Sequence, residues 1–224
     1  MYVTLPCEFH AAAPNDMSVD VAACSNETRL KSKSYLYYEG DTVDWLYQVK
    51  SGVLRLTRVL EDGRRQVIAF GFPGDIVGFP SNGLHHTDCD ALVDARLQPY
   101  RRSSLDNCKA DPKLHRLLLD AALHEISAMQ DHFMMLGRKS AAEKVASFLC
   151  VLANRIGTDA GGCQVVELPM SRSDIADFLG LTTETVCRVF TQLRKSKIIE
   201  INNIYTIKVL RADALLGLTI GHQD

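Results

Sequence analysis

The chain has 224 residues, of which 46% are hydrophobic and 23% are charged, an ordinary composition for a globular protein large enough for two small domains. Its formal charge of −2 is unevenly distributed, since residues 1–137 carry 18 acidic and 14 basic side chains and residues 138–224 carry 9 and 11. No apolar run is long enough for a membrane span and the first residues do not resemble a signal peptide, so we expect a cytoplasmic protein without membrane association.

Seven cysteines are scattered along the chain and are expected to be free thiols in a reducing compartment. They are Cys7, Cys24, Cys89, Cys108, Cys150, Cys163 and Cys187. An iron–sulfur cluster requires several closely spaced thiols, but 16 residues stand between Cys7 and Cys24. The spacing disfavours a cluster. Residues 1–27, which have no sustained hydrophobic period, are predicted to form a flexible N-terminal segment.

Short alternating runs separated by glycine-containing turns extend from Leu30 to about Tyr100. The predicted strands include 35–38, 45–50, 53–59 and 66–70. The Glu-Asp-Gly sequence at 61–63 is predicted to be the tip of a hairpin. This pattern predicts an all-β barrel or roll. The charged cluster around the tip is interpreted as a solvated turn, with a partner-binding surface as the alternative; it comprises Arg58, Glu61, Asp62, Arg64 and Arg65.

The segment at 85–90, His-His-Thr-Asp-Cys-Asp, contains the residue types that commonly bind metal ions. Adjacent residues of a strand point to opposite faces, so at most half of these side chains can face one ion. We therefore expect a polar loop that leads into a strand, and no metal site.

A long helix is predicted from the Asp-Pro pair at 111–112 to Arg138, since proline suits the first turn of a helix. Two apolar stripes run along it. The first has the spacing of a two-stranded coiled coil and comprises Leu119, Ala122, Ile126, Met129, Phe133 and Leu136. The second comprises Leu114, Leu117, Leu118, Ala121 and Ala128 and is expected to pack on the β domain. Because two stripes require two partners, we predict that the first forms a homodimer interface; the alternative is a helix buried within one domain.

Residues 138–224 are predicted to form a winged helix-turn-helix. Gly137 is predicted to interrupt the long helix, which resumes over 139–155, so that a hinge lies between the two halves of the chain. A strand at 164–168 precedes two short helices at 171–197. A hairpin at 198–209, turning at Asn202-Asn203, completes the wing.

The two short helices have the features of a DNA-reading unit. Ser171 and Asp174 are spaced as a capping box, Thr182 is placed to cap the second helix, and Gly180 suits the positive φ of the turn. The predicted inward side chains are Ile175, Ala176, Leu179, Val186, Val189, Phe190 and Leu193. The outward face is polar and basic and can reach base edges and phosphates, which indicates a sequence-specific DNA-binding protein.

Three stretches resemble motifs of a known family. LGRKSAAEKVASFL at 136–149, MSRSDIADFLGLTTETVCR at 170–188, and GDIVGF at 74–79 followed by two histidines are similar to the CRP/FNR superfamily of bacterial transcription regulators. The resemblance covers nearly the whole chain after residue 28. It implies an α+β fold with an N-terminal β-roll (a cupin-like double-stranded β-helix) over 28–112, a dimerisation helix over 113–137 and a C-terminal winged helix-turn-helix over 138–224.

Within this superfamily the chain is most similar to the FixK-like group. Cyclic-nucleotide binders carry a glutamate shortly after the Gly-Asp turn and an arginine for the phosphate, whereas Phe79 stands near the first position here and 85–90 contains no arginine. The cysteine cluster of the oxygen-sensing relatives is also absent. The resemblance implies an activator of microaerobic or anaerobic respiration and nitrogen-fixation genes that uses neither cyclic AMP nor an iron–sulfur cofactor. The alternative is a regulator whose β-roll binds an unidentified small molecule or metal.

The second short helix carries the predicted DNA contacts. Glu184 and Arg188 are four residues apart and can read cytosine and guanine in a two-fold site that, by the resemblance, is similar to TTGAT-N4-ATCAA. Base contacts are expected from Thr183, Glu184, Cys187 and Arg188, and phosphate contacts from Ser171, Arg172, Ser173, Thr182, Arg194 and Lys195. The expected partners are double-stranded DNA, a second copy of the chain, and RNA polymerase, for which the hairpin tip is the candidate contact.

Cys187 lies among the predicted base-reading residues, beside Arg188 and near a helix start, and both features favour the thiolate that is oxidised. Two roles are open. Oxidation to a sulfinic or sulfonic acid would place negative charge against DNA phosphates and end binding, or the thiol makes a neutral contact with a thymine methyl group or a phosphate. No nucleophile elbow, phosphate-binding loop or carboxylate pair is present, so we do not expect an enzyme.

Overall fold

A computed structural model describes residues 27–107, 109 and 111–220, so the predicted N-terminal segment, with Cys7 and Cys24, and also Cys108 lie outside the described residues. The strands are β1 (Thr28–Leu30), β2 (Tyr35–Tyr37), β3 (Trp45–Ser51), β4 (Leu54–Val59), β5 (Arg65–Gly71), β6 (Ile76–Val77), β7 (Asp88–Ala91), β8 (Ala95–Arg101), β9 (Thr158–Asp159), β10 (Gln164–Glu167), β11 (Ile199–Asn203) and β12 (Thr206–Val209). The helices are α1 (Ser103–Asp106), α2 (Pro112–Arg138), α3 (Ala141–Ile156), α4 (Arg172–Leu179), α5 (Thr183–Lys195) and α6 (Ala212–Ile220). None of these described helices combines the length and the apolar character needed to cross a bilayer.

The described chain forms two compact units. The first contains residues 27–56 and 70–128, and the second contains 57–69 and 129–220. The tip of the β4–β5 hairpin therefore belongs to the same unit as α4 and α5.

Two antiparallel sheets form the β-roll that the sequence predicts. Their strand orders are β1-β8-β3-β6 and β2-β7-β4-β5. Strand β3 pairs with β8 and places Leu46 opposite Tyr100 and Val49 opposite Leu97. Val49, Leu54 and Leu97 are fully buried in one core cluster. The alternation of side chains along each strand is thus the reason that the apolar positions share one inner face.

Helix α2 begins where the Asp-Pro pair predicts. The Oδ1 atom of Asp111 accepts a hydrogen bond from the Leu114 N–H at 3.0 Å and so caps the first turn. Leu114 and Leu118 are buried in a cluster that includes Leu46. The stripe expected to face the β domain therefore packs against it within the first unit.

The end of α2 differs from the prediction, because Gly137 is helical and the helix continues to Arg138. The expectation that Gly137 interrupts the helix is wrong. One glycine costs a helix only about 1 kcal/mol, which is too little to break a helix of 27 residues. The break comes instead at Ser140, which takes an extended backbone conformation and forms a capping box with Glu143 at the start of α3.

The second unit also contains a four-stranded sheet with the order β11-β12-β10-β9. The predicted wing hairpin forms, but its turn lies at Ile204 and Tyr205, and the prediction of a turn centred on Asn202 and Asn203 is wrong. Asn203 ends β11, and its Oδ1 atom accepts a hydrogen bond from the Tyr205 N–H at 2.8 Å. This asparagine starts the turn with its side chain instead of occupying the turn's centre.

Candidate nucleic-acid interface

Helix α4 begins with the capping box that the sequence predicts. Ser171 Oγ accepts a hydrogen bond from the Asp174 N–H at 3.1 Å. The Asp174 Oδ2 atom accepts in return from the Ser171 N–H at 3.0 Å and from its hydroxyl at 2.7 Å. These bonds pair donors that a helix start otherwise leaves unsatisfied. Ile175, Ala176 and Leu179 are buried as predicted, so both the cap and the apolar side fix α4 in place.

Gly180 makes the turn between α4 and α5. Its φ of 61° lies in the left-handed region, which glycine adopts at low cost. Thr182 is extended, and its hydroxyl accepts a hydrogen bond from the Thr185 N–H at 3.1 Å. The predicted inward side chains of α5, Val186, Val189, Phe190 and Leu193, are all buried. The local predictions for the helix-turn-helix are confirmed.

The four side chains predicted to contact bases share the exposed face of α5. Thr183, Glu184, Cys187 and Arg188 are all exposed. They share one face because residues three and four apart on a helix are neighbours. Such a face presents a guanidinium that can donate two hydrogen bonds to guanine and a carboxylate that can accept from cytosine. Its geometry therefore suits reading of the major groove.

Five of the six side chains predicted to contact phosphates, Ser171, Ser173, Thr182, Arg194 and Lys195, are exposed. Arg172 differs, because it is half-buried and its guanidinium carbon lies 3.7 Å from the centre of the Phe190 ring. Burial lowers the pKa of this guanidinium, whereas the nearby Cys187 acts in the opposite direction. The inward placement does not fit the predicted phosphate contact. It suits a cation–π contact that ties α4 to α5.

Cys187 differs from the other described cysteines in its exposure. Cys89 is fully buried, and burial raises the pKa of its thiol to about 12. Burial also raises the pKa of the Cys150 thiol, to about 11. Cys163 is partly exposed, and Cys187 is exposed. Of the cysteines that the structure describes, Cys187 is therefore the one most accessible to a solvent oxidant.

The charged residues at the β4–β5 hairpin tip have two different environments. Glu61, Asp62 and Arg64 are exposed. The Arg64 guanidinium pairs with Asp62 of the same turn at 2.7 Å. Arg65 instead donates from Nη2 to Asp174 Oδ1 at 2.7 Å and to Asp177 Oδ2 at 2.9 Å. The interpretation of Arg65 as part of a solvated turn is corrected. Its partners lie 109 and 112 residues further along the chain, beyond the reach of a local pattern.

Two side-chain pairs inside the β-roll also escaped prediction. Arg55 donates to Asp90 through Nε at 3.0 Å and through Nη2 at 2.9 Å. His85 stacks on Tyr37 with the ring centres 3.5 Å apart, and burial lowers the pKa of His85. The segment at 85–90 leads into strand β7 as predicted, but His85 and Asp90 are buried and do not form a polar surface. Within the described residues, no three His, Cys, Asp or Glu side chains converge as metal ligands do.

Helix α2 carries an apolar stripe that the chain itself leaves in contact with solvent. Of the six residues predicted for a dimer interface, Leu119, Ile126, Met129 and Phe133 are exposed, and Ala122 and Leu136 are partly exposed. Phe133 is 75% exposed. A contiguous row of large apolar side chains on a surface is typical of an interaction site.

Comparison with known proteins identifies both halves of the chain. Residues 27–109 match the cyclic nucleotide-binding domain family, and residues 143–218 match the Crp-like helix-turn-helix domain family.

Proteins similar over most of the chain are also known. The nitrogen fixation regulation protein FixK of Rhizobium meliloti is 38% identical over 183 residues, which cover 82% of each chain. The transcriptional activatory protein AadR of Rhodopseudomonas palustris is 37% identical over 194 residues, covering 85% of this chain and 81% of AadR. The solved structure of FixK2 from Bradyrhizobium japonicum matches with a TM-score of 0.78 and 36% identity, covering 86% of this chain and 96% of FixK2. The chain therefore belongs to the CRP/FNR family, as a relative of FixK, and is a transcription regulator with a helix-turn-helix DNA-binding domain and not an enzyme.

Proposed function

We propose that the protein acts as a homodimer that recognises a two-fold symmetric site resembling TTGAT-N4-ATCAA and activates transcription there. The observation that carries the proposal is the exposed face of α5 with Thr183, Glu184, Cys187 and Arg188, on a helix whose cap and buried side hold it in place. Similarity to the transcriptional activatory protein AadR supports activation, and similarity to the nitrogen fixation regulation protein FixK supports nitrogen-fixation genes as targets.

Base reading is assigned to two side chains of α5. Arg188 donates two hydrogen bonds to guanine O6 and N7, and Glu184 accepts one from cytosine N4. Each such pair contributes about 1–3 kcal/mol of discrimination between bases. Two copies of α5 in a symmetric dimer reach two half-sites about one helical turn apart. Specificity therefore depends on a few side chains, and overall affinity on the basic side chains around them.

Replacing Arg188 by alanine tests this assignment. Arg188→Ala is expected to remove the preference for the palindrome over an unrelated duplex, a loss of roughly five- to hundredfold in affinity per half-site. Arg194→Ala is the matched control, because loss of a phosphate contact weakens binding to both duplexes by a similar factor. Fluorescence anisotropy titrations with the two duplexes measure this, and gel filtration checks that the dimer persists. An unchanged affinity of Arg188→Ala for the palindrome would disprove the assignment.

The dimer is proposed to form along the α2 stripe of Leu119, Ala122, Ile126, Met129, Phe133 and Leu136. The exposed members of this stripe repeat with the spacing of a coiled-coil seam, so two copies of α2 can bury them against each other. In a dimer with a two-fold axis between the two copies of α2, one copy of α5 binds each half-site of the palindrome.

DNA binding is proposed to need no cyclic nucleotide. A buried phosphate requires a cation, but the guanidinium of Arg55 in the β-roll is already bound by Asp90 through two hydrogen bonds. This engagement of Arg55 supports the proposal that the β-roll holds no cyclic nucleotide. We expect the wild-type protein in the titrations above to bind the palindrome without added nucleotide. Residues 27–109 match the cyclic nucleotide-binding domain family. The alternative proposal is therefore that the β-roll binds a different small effector.

Oxidation of Cys187 is proposed to end DNA binding. The thiol is exposed and lies on the face of α5 that carries Glu184 and Arg188. Peroxide converts an accessible thiolate to sulfinic or sulfonic acid. The added oxygen atoms bring bulk between α5 and the bases, and negative charge against the phosphates.

The exposed part of the β4–β5 hairpin tip is proposed to contact RNA polymerase. Glu61, Asp62 and Arg64 present charges of both signs to solvent there. A charged, exposed turn is a surface on which complementary charges of a partner can be recognised.

A further inference from the structure

Arg65 and Gln66 of the hairpin contact helix α4 within the second unit. The Nη2 atom of Arg65 lies between two carboxylates, 2.7 Å from Asp174 Oδ1 and 2.9 Å from Asp177 Oδ2. Gln66 donates from Nε2 to the main-chain oxygen of Asp177. Two consecutive residues of β5 thus bind one short helix at three acceptor atoms.

Asp174 connects this contact to the start of α4. Its Oδ1 atom accepts from Arg65, while Oδ2 accepts from the main chain and the hydroxyl of Ser171. The Asp174 side chain is only 5% exposed. The Arg65 side chain is 36% exposed, so solvent screens its charge in part, but the buried Asp174 carboxylate still loses a countercharge and a hydrogen bond when Arg65 is removed. Arg65 therefore supports the cap of the helix that packs beneath the reading helix α5.

We propose that Arg65 is a positioning residue for DNA reading. By bridging Asp174 and Asp177 it holds α4 in place, and because α4 packs on α5 it sets the angle at which α5 enters the major groove. It also offsets two negative charges close to Ser171 and Ser173, where phosphates are expected. This inference rests on the proposed function, since it requires that α5 reads the palindrome. Arg65 itself need not touch DNA.

Alanine substitutions at two adjacent hairpin arginines test the proposal. Arg65→Ala is expected to lower affinity for the palindrome by about tenfold, within the usual range for coupling between two sites. Arg64→Ala is the matched control, because Arg64 is exposed and pairs with Asp62 of its own turn. Its affinity for DNA is expected to stay within about twofold of the wild type. Thermal unfolding and gel filtration check that both variants are folded dimers.

The salt dependence of binding separates positioning from direct contact. A residue that touches a phosphate lowers the slope of log affinity against log salt by about one when it is removed. Arg65→Ala is expected to keep the wild-type slope at a lower affinity. A reduced slope would show that Arg65 contacts DNA directly and would overturn the proposal.

Asp177 allows a double-mutant cycle, because it lies outside the capping box and its side chain is 26% exposed. Asp177→Asn is expected to restore part of the affinity lost in Arg65→Ala, by more than about twofold, since it removes one of the charges that Arg65 offsets. Strictly additive effects of the two substitutions on DNA affinity would contradict the bridge.

A lysine variant covers the case in which Arg65→Ala does not fold. Both carboxylates are bound by the single Nη2 atom of Arg65, so Arg65→Lys, which keeps the charge, should bind the palindrome more tightly than Arg65→Gln, which does not. Equal affinities of Arg65→Lys, Arg65→Gln and the wild type would overturn the proposal.

Failure of the proposed function and failure of the positioning role give different results. If the wild-type protein does not prefer the palindrome, the proposed function fails. If the wild type prefers it and Arg65→Ala binds equally well, the positioning role fails alone. If Arg65→Ala binds DNA with unchanged affinity but yields less transcript with purified polymerase, Arg65 belongs to the polymerase contact instead.

Discussion

At the scale of single residues, the environment of a side chain decides its chemistry more than its type does. Arg188 and Arg172 are both arginines of the helix-turn-helix, but the first is exposed and the second lies on the Phe190 ring. Helical periodicity predicts the face of the helix from which a side chain projects. It does not predict the position of the guanidinium group of an arginine, because that position depends on several rotatable bonds and on an aromatic neighbour.

Because Cys187 is exposed, we predict that it is the thiol through which peroxide acts. The wild-type protein is expected to lose at least about tenfold in affinity for the palindrome after peroxide treatment, because a new negative charge on α5 opposes the phosphates. Cys187→Ser should bind before treatment and should lose little after it. Anisotropy titrations before and after peroxide, with mass spectrometry of the peptide that contains residue 187, measure both effects.

The matched control is Cys150→Ser, which removes a half-buried thiol whose pKa burial raises to about 11. This variant should be as sensitive to peroxide as the wild type. Equal losses of DNA affinity in the wild type and in Cys187→Ser would exclude the proposed switch.

At the scale of elements, α4 is held by contacts on several sides. Its cap and apolar face are local features, but His132 of α2 also stacks on Phe178, with the ring centres 4.4 Å apart. Burial lowers the pKa of His132 to about 4, although a hydrogen bond with the Phe178 backbone acts in the opposite direction. The neutral imidazole is therefore the form that packs between these two helices.

This packing predicts that the protein loses stability as the pH falls. The pKa of His132 is about 4 when folded, below its ordinary value of 6.5, so the unfolded chain binds the proton more tightly between these two pH values. His132 should thus contribute on the order of 2 kcal/mol to the loss of unfolding free energy between pH 7 and pH 5. Urea unfolding of His132→Gln at both pH values should show a loss smaller by that amount.

His124→Gln is the control for this measurement, because His124 is an exposed residue of the same helix. It reports the effect of replacing a solvent-exposed histidine of α2 by glutamine. Burial also lowers the pKa of His85, so some acid sensitivity is expected to remain in His132→Gln. If His132→Gln loses as much stability as the wild type between pH 7 and pH 5, the neutral packing of His132 is not what makes the protein acid-sensitive.

At the scale of the whole molecule, the α2 stripe is proposed to determine whether a palindrome can be read at all. A single copy of α5 reaches one half-site, and tight binding to a two-fold site requires both copies to be held at the half-site spacing. We expect the spacing between the two copies of α5 to depend on contacts between the exposed apolar residues from Leu119 to Phe133.

Charge placed in the stripe should therefore abolish the dimer. Phe133→Asp removes an apolar contact twice in each dimer, which is expected to cost on the order of 3–6 kcal/mol of dimerisation free energy. Ser127→Asp puts the same charge on an exposed position of α2 outside the stripe and should remain dimeric. Analytical ultracentrifugation at micromolar concentration measures the association. A dimeric Phe133→Asp variant would place the interface elsewhere.

Much of the local architecture follows from the sequence alone. The long helix, the capping box at Ser171, the turn at Gly180 and the exposed face of α5 all depend on residues within a few positions of each other. Periodicity, capping and turn chemistry act over that range, so a single sequence contains the information. Even there, the exact turn of the wing and the end of α2 were mispredicted, because a side-chain hydrogen bond of Asn203 and the cap at Ser140 outweighed the propensities of asparagine and glycine.

Only the tertiary structure decided which distant charges meet. Arg65 binds Asp174 and Asp177 across 109 and 112 residues, and Arg55 binds Asp90 across 35. Each of these side chains, seen in sequence, is one charged residue among many. Ion pairs of this kind depend on how strands and helices pack. The hydrophobic period within one strand or helix contains no information about that packing. The exposed face of α5 is thus a property of the sequence, whereas the support that Arg65 gives to α4 beneath it is a property of the fold.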